Sequence, residues 1–174
     1  MRAVPIAVTA LSALLLLTAC DDGKGEDGKS AQRQKAACAI DEVSMEVGPA
    51  SVAPAAGDTG DVPVSFTNQS AECTLDGFPE VFLTRAGDSE RYEVPPAEGA
   101  KAQKLTLAKG ESASFTLTYV RGERAVDVKR LHVVFPSEGG DPSTREYRWS
   151  YGPIAGGDGD GLEVSVSAYQ KAGD

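Results

Sequence analysis

This chain is poor in the residues from which most enzyme sites are built. Its 174 residues include one histidine, one tryptophan, two methionines and three cysteines. A single histidine, His132, leaves a serine-histidine-aspartate triad to be drawn only by free choice of serine. There is no GxSxG elbow, because Gly110-Glu111-Ser112-Ala113-Ser114 lacks the second glycine. Carboxylates are abundant, yet none sits in an apolar stretch that would raise its pKa for glycosidase-type acid catalysis. Excess positive charge is missing too: 26 acidic residues outweigh 17 basic ones, for a net charge of −9. That balance disfavours nucleic acid and anionic headgroups, both of which need a basic footprint. No apolar run reaches the roughly 20 residues of a permanent transmembrane helix. No convincing helical period and no internal repeat is visible. On these grounds the chain is not expected to be an enzyme, and no cofactor or metal is expected.

What is present starts at the N-terminus. Arg2 supplies a positive n-region, Ala3 to Leu17 an apolar h-region, and small Ala19 precedes Cys20, which is secretory signal architecture. The stretch Leu17-Thr18-Ala19-Cys20 resembles a bacterial lipobox. That resemblance implies cleavage after residue 19, a fatty-acylated Cys20 as the first mature residue, and an address on the outer face of the cytoplasmic membrane. One acyl chain anchors only marginally, but the modification that the resemblance implies adds three, enough for stable membrane attachment. The twin-arginine pattern is absent, so export by the general secretory route is expected. Without residues 1–19, 26 acidic residues face 16 basic ones, a net charge of −10.

With Cys20 assigned to the lipid, Cys38 and Cys73 remain as an even pair in an oxidising compartment, which reads as one disulfide. A two-cysteine metal site finds no histidine partners nearby. Between lipid and first paired cysteine, residues 21–37 contain no aliphatic side chain larger than alanine and no aromatic. They cannot bury enough surface to fold and read as a tether, with a root-mean-square span of about 23 Å for a flexible coil. Within it Gly23-Lys24-Gly25-Glu26-Asp27-Gly28-Lys29-Ser30 matches the GxxxxGK[ST] phosphate loop letter for letter. That loop works only between a strand and a helix whose N-terminus meets the phosphate. Neither is expected here, so nucleotide binding is not.

Beyond Cys38 the dominant period is two. Val43, Met45 and Val47 alternate with Ser44 and Glu46; Val62, Val64 and Phe66 with Pro63 and Ser65; Ala113, Phe115, Leu117 and Tyr119 with Ser114, Thr116 and Thr118. Each run predicts a strand with one buried face. Further strands are expected near 79–85, 90–94, 103–107, 128–135, 144–151 and 161–168, punctuated by glycine and proline. Eight or nine short strands in residues 38–174, one domain by length, predict an all-β antiparallel sandwich. The Lys109-Gly110 corner is expected to close a hairpin of 103–107 with 112–120. His132, out of phase with Leu131, Val133 and Phe135, is expected to be exposed beside Arg130.

Two runs carry a family resemblance. They are Val64-Ser65-Phe66-Thr67-Asn68-Gln69-Ser70-Ala71-Glu72-Cys73-Thr74-Leu75-Asp76-Gly77-Phe78-Pro79 and Leu105-Thr106-Leu107-Ala108-Lys109-Gly110-Glu111-Ser112-Ala113. They resemble an actinobacterial lipoprotein family, domain of unknown function 4232. Its pattern is a strand ending in Thr-Asn, then Cys-x-Leu-x-Gly-x-Pro, then Leu-x-x-Gly-x-x-Ala, with an earlier cysteine matching Cys38. The resemblance spans about residues 38–136; a second cysteine pair common in the family is missing, and Glu80 stands where glycine is common. It implies an immunoglobulin-like sandwich in the cell envelope and no established activity. Local physics gives the motif scaffold work: Gly77 for a turn closed to other residues, Pro79 to start the next strand.

Three features compete for a binding role. Tyr147, Trp149 and Tyr151 share one face of a strand and would stack sugar rings if exposed, although apolar alternation in a sandwich normally points into the core. Gly156-Gly157-Asp158-Gly159-Asp160-Gly161 faintly suggests a calcium loop but matches no EF-hand spacing, so a solvated loop is expected at Asp158 and Asp160. Residues 101–130 hold seven basic and three acidic residues, against the global charge. Lys101, Lys104, Lys109, Arg121 and Arg124 would flank the expected hairpin and form a cationic patch for an acidic partner. The resulting expectation is a lipid-anchored module that binds at the envelope. Partners in order are another envelope protein, a wall glycan or anionic wall polymer, then a small molecule. The alternative is an enzyme or accessory domain acting on wall glycan.

Overall fold

The computed structural model describes residues 36–172 except 86, 88, 89, 124, 136–141, 158 and 160. Cys20, Arg124, Asp158 and Asp160 therefore lie outside the described residues, as do the apolar N-terminal run and the phosphate-loop look-alike. No helix among the described residues is long and apolar enough to cross a membrane.

The period-two runs become strands of two facing antiparallel sheets. One sheet is built from β1 (Val43–Val47), β2 (Thr59–Asn68), β7 (Ser112–Val120) and β12 (Val164–Val166), in that order, with β13 (Gln170–Lys171) also pairing with β7. The other has the order β10 (Ser143–Arg148), β9 (Val128–Phe135), β4 (Glu80–Arg85), β5 (Arg91–Glu93). Two small ladders complete the fold: β3 (Cys73–Gly77) with β6 (Gln103–Leu107), and β8 (Ala125–Val126) with β11 (Ile154–Ala155). All these pairings are antiparallel.

Alternation puts Val62, Val64 and Phe66 of β2 and Phe115, Leu117 and Tyr119 of β7 on the inner face of the first sheet, each 1% exposed or less. Leu83 of β4 and Leu131, Val133 and Phe135 of β9 meet them from the second. Phe66 and Phe135 touch edge to face across the gap, 5.9 Å between centroids. One core thus joins both sheets, and burial of these side chains at about 1.5–3 kcal/mol each is the main stabilising term.

The register of β2 against its neighbours defines two ends. At the near end Asn68 is opposite Val43, and the chain arrives through Ala36 and Ala37. There the Thr74 N–H donates to Ala36 O (2.8 Å), the Cys38 N–H to Thr74 O (3.0 Å), and Cys38 is disulfide-bonded to Cys73. Fully buried Asn68 donates from Nδ2 to Leu107 O (3.0 Å) and Ala71 O (2.7 Å) and accepts from Ser70 N–H (3.0 Å). At the far end Thr59 pairs with Val120, and the Tyr119 hydroxyl accepts from Ala53 N–H (3.2 Å) and donates to Tyr151 O (2.6 Å). Gly60 lets the backbones meet there, since a Cβ would lie 2.5 Å from the Tyr119 ring and 2.8 Å from Ala53 N.

The exposed β1 edge is closed by side chains rather than by a strand. Arg145 Nη2 donates to Ile40 O (2.6 Å), its Nη1 to Val43 O (3.1 Å), and the Tyr147 hydroxyl to Met45 O (3.3 Å). Unpaired strand carbonyls thereby find donors, and that edge is closed to further pairing.

Nine of the strands match the sequence expectation. β3 was not expected, because only Cys73 and Leu75 alternate before Asp76 and Gly77. The two-residue strands β8, β11 and β13 carry no period at all.

Candidate functional site

The hairpin expected to gather the basic residues is not formed. Instead β6 pairs with β3, and β7 with β2, β12 and β13. The Lys109-Gly110 turn thus carries the chain from a small ladder into a different sheet. Lys109 and Arg121 stand at opposite ends of β7, whose nine residues span about 30 Å. Lys104 pairs across the ladder with Asp76 at 3.4 Å, both side chains more than half exposed. Arg121 turns back onto its own fold, donating to Ala53 O (3.0 Å) and Pro54 O (3.4 Å). Lys101 is exposed in the loop before β6. The length of β7 keeps Lys109 and Arg121 apart.

The aromatic strip belongs to the core. Trp149 is 4% exposed, its indole N–H donates to Gly152 O (2.7 Å), and its ring stands edge-on to Tyr119 (5.2 Å) and Tyr151 (5.0 Å). Tyr147 and Tyr151 are half-buried against the same core, and burial raises both phenol pKa values. No sugar platform is available on that face.

His132 corrects the expectation of an exposed ring. It does lie on the outer face, but its side chain is only 13% exposed. It stacks on Phe82, directly opposite on β4, at 4.3 Å and 5°. Arg91 lies over the other ring at 3.7 Å from its centroid. His132 Nε2 is 3.0 Å from Thr84 Oγ1, and Glu146, which is ion-paired with Arg130, lies 3.9 Å from Nδ1. Burial lowers the imidazole pKa; Glu146 opposes the shift, and Arg130 and Arg91 add to it. Arg130 with Glu146 and Arg91 with Glu93 add ion pairs to this outer face. Among the described residues no group of three or more His, Cys, Asp or Glu side chains is placed to hold a metal ion.

A cleft of about 330 Å³ opens instead at the near end, beside the disulfide. Its wall is the Cys73–Pro79 segment. β3 presents Leu75 and Asp76, and Gly77 then adopts φ +81°, a left-handed turn that side chains resist. Phe78 lines the cleft and buried Pro79 leads into β4, which begins with Glu80. Val134 of β9 contributes from the second sheet, and Tyr169 from the segment between β12 and β13.

Tyr169 is the unusual member. Only 6% of it is exposed, and its ring packs edge-on against Phe66 (5.8 Å) and Phe115 (6.1 Å). Among the described residues its hydroxyl makes no hydrogen bond, and it is not a buried orphan, since it borders the open cleft. Burial, with the negative charge of Glu80 adding to it, pushes its pKa up to about 12, so it stays an O–H donor at any pH near neutrality. Glu80 itself is exposed and makes no ion pair among the described residues. The cleft therefore combines apolar and aromatic walls, a phenolic hydroxyl and an acidic rim. The sequence motif marks the Cys73–Pro79 segment as scaffold and does not mark Tyr169. The one signal in the sequence was an isolated tyrosine after the Val164–Val166 alternation.

No curated protein matches the chain. The family model described as domain of unknown function (DUF4232) matches residues 38–170, which takes in the disulfide, both sheets and every wall of the cleft except Ala37. The motif read from sequence and the fold built around it agree with that match, and the chain belongs to the family of domain of unknown function 4232.

Proposed function

We propose that the protein is a bacterial, lipid-anchored lipoprotein of the cell envelope whose sandwich serves as a binding module, with the near-end cleft as its ligand site. The observation that carries the anchor is Leu17-Thr18-Ala19-Cys20 at the end of a short apolar run, followed by a segment too polar to fold. The Cys38–Cys73 disulfide favours an oxidising compartment outside the cytoplasm. The resemblance of the Cys73–Pro79 and Leu105–Ala113 motifs to an actinobacterial lipoprotein family points the same way. For the binding role the support is the cleft, which joins apolar walls to a few convergent polar groups, as ligand sites do.

Replacing Cys20 by serine tests the anchor. Cys20→Ser should abolish labelling by a fatty-acid probe in cells and release the protein from the membrane fraction. Unchanged labelling of the variant would refute the lipoprotein assignment.

A further inference from the structure

We infer that the outer edge of β6 is a docking strand for an extended acidic segment of a partner protein, which joins the β3–β6 ladder antiparallel to β6 as one more strand. The inference rests on the reading of the domain as a binding module, and it needs neither the lipid anchor nor an occupied cleft.

Three observations carry it. The first is an open edge. The Thr74 N–H donates to Ala36 O (2.8 Å) and Thr74 O accepts from the Cys38 N–H (3.0 Å), so both backbone groups of Thr74 point away from β6. Thr74 is opposite Thr106, and Asp76 is opposite Lys104. In an antiparallel ladder alternate residue pairs exchange hydrogen bonds, and the backbone groups of the pairs between them point outward. The N–H and C=O of Lys104 and Thr106 therefore face away from β3, and none of these four groups has a hydrogen-bond partner among the described residues. A strand edge in that state is a template for another strand. Three other edges are covered: that of β3 by Ala36 and Cys38, that of β1 by Arg145 and Tyr147, and that of β12 by Pro95 and Ala97, which bond both backbone groups of Val166. β5 also lies at an edge, but it has three residues, and its Arg91 and Glu93 pair with each other at 3.4 Å.

The second observation is the sign of the edge. From Gly99 to Gly110 there is no acidic residue, whereas Lys101, Lys104 and Lys109 lie on β6 and its two flanks, all exposed, in a chain of net charge −9. Glu111, just beyond, is taken up by the Ala108 N–H (2.8 Å) and Lys171 (2.9 Å). A second copy of β6 would bring lysines against lysines, and like charges directly opposed destabilise a pairing, whereas an acidic strand meets opposite charges. The third is that the edge is unguarded. Lysine is a common guard of strand edges, but the Lys104 ammonium is drawn across the ladder to Asp76 (3.4 Å), away from the open side, in an exposed pair that is worth little in water. Leu105 packs against the core, so the added strand sets acidic residues beside Lys104 and Thr106 and an apolar residue beside Leu105.

The test uses the full chain, purified in detergent, with acetyl-Asp-Val-Glu-Val-Asp-amide as the probe, followed by two-dimensional amide NMR and hydrogen exchange. In the protein alone the Lys104 and Thr106 amides should exchange at unprotected rates while those of Leu105 and Leu107, which face β3, are slow. Saturating peptide should protect Lys104 and Thr106 and shift the resonances of residues 103–107. Its affinity should exceed that of acetyl-Lys-Val-Lys-Val-Lys-amide by about tenfold or more and fall with added salt. Lys104→Glu should weaken it about tenfold, and Asp76→Asn, which releases Lys104, should strengthen it, with the Trp149 indole signal reporting that the fold is intact. N-methylation of the central glutamate removes the donor that faces β6 and should abolish binding; N-methylation of either valine, whose N–H points to solvent, should not. Equal binding of the lysine peptide would overturn the acidic class of partner. Undiminished binding of the N-methyl-glutamate peptide, or equal binding of sodium polyphosphate at the same residues, would reduce the edge to a charge effect and overturn strand addition. Protection of Lys104 and Thr106 that grows with protein concentration before any peptide is added would give the edge to a second copy and overturn the partner assignment. Absence of saturable shifts with the acidic peptide would overturn the site. None of these outcomes bears on acylation at Cys20, which the labelling experiment reads separately.

Discussion

The two ends of the sandwich are fastened by different chemistry. At the near end a covalent bond, Cys38–Cys73, and a buried amide, Asn68, tie the arriving chain, β3 and β6 together. At the far end there is no covalent link among the described residues; the Tyr119 hydroxyl, the Trp149 indole and the Arg121 guanidinium each grip a backbone carbonyl. The near end carries a cleft next to the irregular turn at Gly77, and the disulfide fixes Cys38 and the neighbouring chain that line it. The far end holds loops and the short β8–β11 ladder, bridged to Arg121, and is fastened by hydrogen bonds. Redox conditions should therefore govern one end and leave the other alone.

Removing the disulfide breaks that comparison most severely. Cys38→Ser with Cys73→Ser should lower unfolding stability by about 4 kcal/mol in the chain-entropy account of a 36-residue loop, read by denaturant titration. Hydrogen exchange in the reduced wild type should accelerate at Cys38 and Thr74 while Tyr119 and Trp149 stay protected. Equal acceleration at both ends would erase the distinction. Next in size is Asn68→Ala, which strands Leu107 O and Ser70 N–H in a buried setting and should cost about 2 kcal/mol. Its far-end counterpart, Tyr119→Phe, keeps the ring and removes only the hydroxyl that links Ala53 to Tyr151. About 1 kcal/mol is expected, with faster exchange at Ala53.

The smallest effect is pH-dependent and belongs to neither end. The pKa of His132 is lowered in the folded protein, so below the unfolded value of about 6.5 the unfolded chain takes up the proton more readily. The linkage therefore favours folding above that pH, and the benefit is lost as pH falls through the window just below it. His132→Gln should flatten the pH dependence of the unfolding midpoint between pH 7.5 and 5.5. An unchanged slope would show that the stack on Phe82 does not penalise the charged ring. Glu111, whose carboxylate is held below its usual pKa by the Ala108 N–H and by Lys171, acts lower, with stability lost as pH falls beneath about 4.5.

What the sequence made legible was whatever repeats locally. Alternation at Val62 to Phe66 and at Ala113 to Tyr119 located the central strands and their inner faces, because one buried face fixes period two. Pairing partners are not local. Nothing in Lys109-Gly110 says that the strands on either side join different ladders, so the expected hairpin of β6 with β7 is not found. His132 was placed on the correct face and given the wrong environment, since its cover comes from Phe82, fifty residues earlier in the chain and opposite it only after β4 pairs with β9. The cleft was invisible for the same reason: Leu75, Glu80, Val134 and Tyr169 come together only when the two sheets close.

The position of the disulfide also determines how the domain bears load. A pull on the chain ahead of residue 36 reaches Cys38 first and crosses directly to Cys73, bypassing the residues between them, a sequence separation of 35. Those residues include β1 and β2, so two strands of the larger sheet sit in a closed loop that tension between the chain's termini cannot lengthen. Stretched in single-molecule force spectroscopy, the oxidised domain should release about 120 Å less contour length than the reduced one.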